Sequence, residues 1–229
     1  MEHGEHYESN SESCVHERET DDDENSEEAV GIQMVPGPYR QYSDAVRNKE
    51  RERRTLVIST SITRNINEDR FNMCYGSGKA EFKRFRGWKV KRIKEDMTTN
   101  LDHGVFDSAL LHMGGNDLQD LYRPELIFKL ASEIIDAGLI CRKQGADTVF
   151  IAGVTVRKYE YTWERCRLLN QELKDLCKKN NFVFVDNTNI NYVDHLCDGV
   201  HLNEDGDSIL ANNYLGCFKK AFHRDSSRH

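Results

Sequence analysis

The stretch Ser108-Ala-Leu-Leu-His-Met-Gly-Gly-Asn-Asp117 joins an unbroken apolar run to two glycines and two polar side chains. A continuous apolar run marks a strand covered on both faces, as in a parallel sheet, whereas a half-exposed strand alternates. The polar turn stands at the carboxyl end of that strand, where open parallel sheets hold their ligands. Its glycines let the backbone turn and approach a ligand, and the Asn116 amide is a neutral donor suited to developing negative charge. On local grounds alone, Asn116 or Asp117 also fits the cap of a short helix.

Working outward, similar runs appear at 55–59, 148–152 and 182–185, with a weaker candidate at 81–85. Helical periods separate them. Val90, Ile93, Met97 and Leu101 form one; Pro124 opens another, through Ile127, Leu130, Ala131, Ile134, Gly138 and Cys141. Trp163, Cys166, Leu169, Leu173 and Leu176 form a third, ending in Lys178 and Lys179 where cations suit the helix dipole. A fourth starts at Asn203 as N-cap, with Glu204 and Asp205 in its first turn, and buries Leu210, Tyr214, Cys217 and Phe218. Strand and helix alternate, which predicts a three-layer α/β/α domain around a mainly parallel five-stranded sheet.

Two further strand ends carry chemistry. Ser59-Thr60-Ser61-Ile-Thr-Arg-Asn-Ile66 follows the first strand, so Ser61 can present a nucleophilic hydroxyl beside helix-start N–H groups, or simply cap that helix. Cys197-Asp-Gly-Val-His-Leu-Asn203 precedes the last helix, and Asp198 and His201, three apart around a glycine, can converge so that the carboxylate fixes the imidazole tautomer. Asp194 and His195 are adjacent, and adjacent side chains point apart. A serine, an amide donor and an Asp/His pair, each at a site-forming strand end, outline an acyl-transfer site.

At these residues the sequence resembles the SGNH hydrolase superfamily, the GDSL esterases and lipases, across about residues 54–222. The resemblance implies a flavodoxin-like sheet and a catalytic triad of Ser61, Asp198 and His201. It implies an oxyanion hole built from Ser61, Gly87 in Phe-Arg-Gly-Trp, and Asn116 in Gly114-Gly-Asn-Asp117. It implies hydrolysis of small or lipid acyl esters, with no metal and no cofactor. One departure is visible: the family's serine follows Gly-Asp, and here it follows Ser59-Thr60. The intact signature residues favour an enzyme. The altered pair favours a catalytically degenerate binding module of the same fold, of the kind found in mobile-element open reading frames. Trp88, Arg157, Tyr159, Tyr161 and Trp163 are candidates for the pocket rim.

Composition bounds the rest. The 229 residues carry a net charge of −7, yet residues 1–30 hold twelve acids against Arg18, leaving residues 31–229 at +4. The domain reading is an acidic disordered tail over 1–46, a basic linker over 47–54, the hydrolase-like domain over 55–222, and a disordered end at 223–229. The Arg47–Arg54 run also fits a nuclear-import or nucleic-acid patch. No apolar run approaches the ~20 residues of a spanning helix. Seven cysteines without metal-ligand spacing suit reduced thiols in an intracellular compartment, cytoplasmic or nuclear. No G-x-G-x-x-G or P-loop follows any strand, which speaks against a nucleotide-binding domain.

Overall fold

A computed structural model describes residues 52–76, 78–101, 106–159 and 162–226; the tail and most of the linker lie outside them. Five strands, β1 (Arg53–Ser59), β2 (Gly78–Arg84), β3 (Ser108–His112), β4 (Thr148–Ala152) and β5 (Val183–Val185), form one sheet in the order β2-β1-β3-β4-β5. Every pairing is parallel. The helices are α1 (Glu68–Tyr75), α2 (Val90–Asn100), α3 (Pro124–Lys143), α4 (Trp163–Asn180), α5 (Tyr192–His195) and α6 (Glu204–Ser226).

The unbroken apolar runs now have their reason. Leu56, Ile58, Ala109, Leu111, Val149 and Ile151 face α2, α3 and α4 in one core layer. Val57, Leu110, Phe150 and Val185 face α1 and α6 in the other, against Phe71, Tyr75, Tyr214 and Phe218. Each central strand therefore needs apolar side chains at every position. The edge strand β2 alternates buried and exposed from Gly78 to Phe82, which is why it reads weakly and why it begins at Gly78, three residues before the predicted start.

Pro124 occupies the first turn of α3, Lys178 and Lys179 close α4, and Asn203 Oδ1 accepts the Gly206 N–H at the start of α6, all as the sequence predicts. Two boundaries and one burial differ. Arg53 and Arg54 belong to β1 rather than to a linker, with the Arg53 guanidinium 4.4 Å over the Phe222 ring and the Arg54 N–H bonded to Asp107. The last helix runs to Ser226, into the stretch expected to be disordered. Cys217, expected in the core, is only half-buried.

Candidate active site

All five loops at the carboxyl end of the sheet are laced together by hydrogen bonds. After β1 the chain makes one short 3-10 turn, Ser61–Thr63, rather than entering a helix directly; α1 starts at Glu68 with Asn67 as its cap. Ser61 therefore caps no long helix. The Phe85 N–H after β2 donates to the Ser59 carbonyl at 2.8 Å. The Trp88 carbonyl accepts from Asn116 Nδ2 at 3.1 Å, and Asn116 Oδ1 accepts from the Arg157 guanidinium, also at 3.1 Å. The next residue, Lys158, donates its N–H to the Gly199 carbonyl at 2.8 Å. The Arg64 guanidinium reaches Cys197 Sγ at 3.9 Å, and Asn65 Nδ2 donates to Asp207 at 3.1 Å. The ring closes: the turns bearing Ser61, Gly87, Asn116, Arg157 and Asp198–His201 form one rim.

Within it, Asp198 and His201 do converge. His201 Nδ1 lies 2.6 Å from Asp198 Oδ2, while Asp198 Oδ1 accepts the N–H groups of Val200 and His201 at 3.0 and 2.7 Å. The bond from the His201 ring, then these backbone N–H groups, hold the Asp198 carboxyl well below the usual carboxylate range. An ionised Asp198 makes Nδ1 the protonated nitrogen, leaving Nε2 as an acceptor with the ring partly exposed. Asp194 and His195 stay apart in function: His195 Nδ1 accepts the Asn191 N–H and Asp194 accepts from the Asn191 side chain.

On the other side, Gly87 has φ of +73°, a conformation that disfavours side chains, on an exposed turn. Among the described residues neither the Ser61 N–H nor the Gly87 N–H donates to another group, and no hydrogen bond joins the Ser61 hydroxyl to the His201 ring. Asp117 is a cap, but of a different element: its carboxylate accepts the Val90 N–H that opens α2. Burial pushes its pKa up to about 6, against that N–H and Lys89.

Sequence comparisons return nothing: no family model and no curated protein matches the chain. Solved structures do match. A GDSL-like lipase from Bacteroides thetaiotaomicron superimposes with a TM-score of 0.62 at 15% identity, covering 80% of this chain and 98% of that one. A member of the lipolytic G-D-S-L family from Veillonella parvula gives 0.57 at 19% identity, with coverage of 72% and 98%. A catalytic mutant of an acetylxylan esterase from Geobacillus stearothermophilus gives 0.60 at 14%, with coverage of 72% and 94%. The fold is that of the SGNH hydrolases.

Measured against that SGNH pattern, the Ser59-Thr60 departure is absorbed locally. Ser59 ends β1 with negative φ, since Asn181 is the one described non-glycine residue with positive φ. Its buried hydroxyl bonds Thr63 Oγ1 at 2.5 Å, so the added Cβ brings a stitch across the turn. Thr60 is buried just before Ser61 and makes no side-chain cap bond. Of the proposed rim residues, Arg157 lies on Asn116; Trp163 donates Nε1–H to the Arg157 carbonyl and packs on Tyr192, with ring centroids 5.0 Å apart. Tyr159 is exposed, Trp88 is half-buried, and Tyr161 lies outside the described residues.

In the sequence His112 stands only as the end of an apolar run. It is buried beneath the rim with Nδ1 2.5 Å from the Tyr214 hydroxyl, and burial lowers its pKa to about 4. A histidine inside an otherwise apolar strand was the available signal. The unfolded chain takes up a proton near the ordinary value of 6.5 and the folded chain only near 4, so this group withdraws stability as pH falls through that window. Asp117, raised from 3.8 to about 6, acts oppositely over part of the same range. The His112 contribution is thus read as a difference: urea midpoints of wild type fall more steeply from pH 6.5 to 4 than those of His112→Gln, whose side chain does not titrate. Parallel curves would refute it.

Proposed function

We propose that the chain is a serine hydrolase of carboxylic esters, with Ser61, His201 and Asp198 as its triad. One observation carries this reading: an ionised Asp198, fixed by two backbone N–H groups, holds the His201 ring in one tautomer on a turn tied to the Ser61 turn. Ser61 Oγ attacks the acyl carbonyl while His201 Nε2 takes its proton, then passes it to the departing alcohol. The tetrahedral oxyanion is met by the N–H groups of Ser61 and Gly87 and by the second N–H of the Asn116 amide, whose first is held by Trp88. Water then cleaves the acyl-enzyme with His201 as base. Every step uses this chain's own groups and water. The catalytic bond between Ser61 and His201 is one that forms around substrate, as such bonds tighten in the bound complex.

Small or lipid acyl esters are the substrates this site suits. Among the described residues no helix is long and apolar enough to cross a membrane, and six cysteines are free thiols, which fits a reducing intracellular compartment, the cytoplasm first. The competing reading, a degenerate binding module, is favoured by Thr60 in place of the family's aspartate. Labelling by a fluorophosphonate probe separates them. Wild type is expected to be labelled, and Ser61→Ala and His201→Ala are not. A folded wild-type protein that takes no label and leaves p-nitrophenyl acetate intact would hand the decision to the binding module.

A further inference from the structure

A run of positive charge crosses the rim; Arg84, Lys89 and Lys94 within it pair with Glu68, Asp120 and Asp136. From Lys83 to Lys94 the chain has seven Lys and Arg and no Asp or Glu, and this run encloses Gly87 and the start of α2. Lys89 is the N-cap of α2, and Lys91 and Arg92 occupy its first turn, which has no acid of its own; the nearest carboxylates are Asp117, which accepts the Val90 N–H, and Asp120, which pairs with Lys89. Cations at a helix N-terminus oppose the helix dipole and withdraw stability there. Arg92 is fixed rather than loose, its guanidinium 3.8 Å over the Trp88 ring, and Trp88 is the residue whose carbonyl holds Asn116.

Charge of the same sign stands across the rim. Arg64 follows Ser61 by three residues and reaches Cys197. The Lys158 stem lies over the Asp198–His201 turn: a Cβ on Gly199, at φ +82°, meets Lys158 Cβ at 2.7 Å. The nearby acids are each engaged, Asp207 by the Asn65 amide and by the charge of Arg64. Asp120 pairs with Lys89, Asp117 caps α2, Asp198 holds His201, and Asp194 accepts from Asn191. Among the described residues Arg64, Arg86, Arg92 and Lys158 enter no ion pair. Cations outside any ion pair thus stand on the loops after β1, β2 and β4 and on the first turn of α2, around the loops that carry Ser61, Gly87 and the Arg157 contact to Asn116.

We infer that the site takes esters bearing an anionic group, a carboxylate or phosphate beside the scissile bond. The inference rests on the ester-hydrolase reading and narrows it. Cations gathered on the loops around a site raise the local concentration of an anionic substrate and its rate of capture, an effect that salt screens. A soluble acid ester and an anionic lipid present the same chemistry.

The test uses the full chain and a near-isosteric pair, 4-acetoxybenzoate and its neutral methyl ester, each rate being divided by that ester's own hydroxide-catalysed rate. The corrected kcat/KM is expected to favour the anion about tenfold at low salt, declining towards parity as salt shortens the screening length to about 3 Å near 1 M. Arg86→Glu/Lys158→Glu, both exposed, should invert the ratio. Phosphatidylglycerol vesicles that inhibit 4-acetoxybenzoate turnover where phosphatidylcholine vesicles do not identify a lipid source; no inhibition by either identifies a soluble one. If the methyl ester is turned over and the ratio is unity at every salt concentration, the inference falls and the hydrolase reading stands. If both esters are inert and the fluorophosphonate leaves Ser61 unlabelled, both fall.

Discussion

Asp198→Asn is expected to lower kcat for a short p-nitrophenyl ester by about 10⁴-fold while leaving the fold intact. The replacement is nearly isosteric, and its carbonyl oxygen can still accept the Val200 and His201 N–H groups that shape the turn. What changes is the atom facing His201 Nδ1. A carboxylate oxygen there demands a proton on Nδ1; an amide NH₂ donates one instead, so the ring's proton moves to Nε2. That nitrogen can then no longer accept from Ser61. The effect should fall on kcat rather than KM, because Asp198 touches the imidazole and not the substrate. Because its carboxyl is held far below neutrality, wild-type activity should show no titration of Asp198 at any working pH. Unchanged urea midpoints together with a loss smaller than tenfold would remove Asp198 from the triad.

How much of this was readable before folding depends on distance along the chain. The strands β1, β3 and β4 were legible because both of their faces are covered, so burial alone writes an apolar run. The helix α1 was not: it buries only Phe71 and Tyr75, too few to write a period over its eight residues. Its Asn67 cap and acidic first turn, Glu68 and Asp69, are the local signal for it. The four-residue α5 is too short to carry a pattern at all. Within the site, the pairing of Asp198 with His201 was legible because three residues across a glycine fix it locally. The contact of Arg157 with Asn116 spans 41 residues, and that of His112 with Tyr214 spans 102. No local rule can see such pairs; they exist because the parallel register brings all the strand ends to one edge of the sheet. That edge is also why the altered Ser59-Thr60 reads as a modest departure: the Ser59–Thr63 bond shows the turn rebuilt with different side chains.

Under the proposed mechanism, the same long-range contacts give Asn116 its part in the oxyanion hole. Its side chain bridges two loops, giving Nδ2 to the Trp88 carbonyl and accepting Arg157 at Oδ1. The guanidinium admits only an oxygen at its end, so it forbids the flipped amide and turns the donor end towards the Gly87 loop. Asn116→Ala should therefore lower kcat by about 10² to 10³ with little change in KM, since an oxyanion donor is used fully only in the transition state. Arg157→Met should lower kcat less, because the amide remains but is no longer held in one orientation. In the double variant the Arg157 change should cost almost nothing further, because an orienting group has no role once the amide it orients is gone. Additive losses would instead mean that Arg157 acts on the substrate directly, and an unchanged kcat in Asn116→Ala would leave the oxyanion to the Ser61 and Gly87 N–H groups alone.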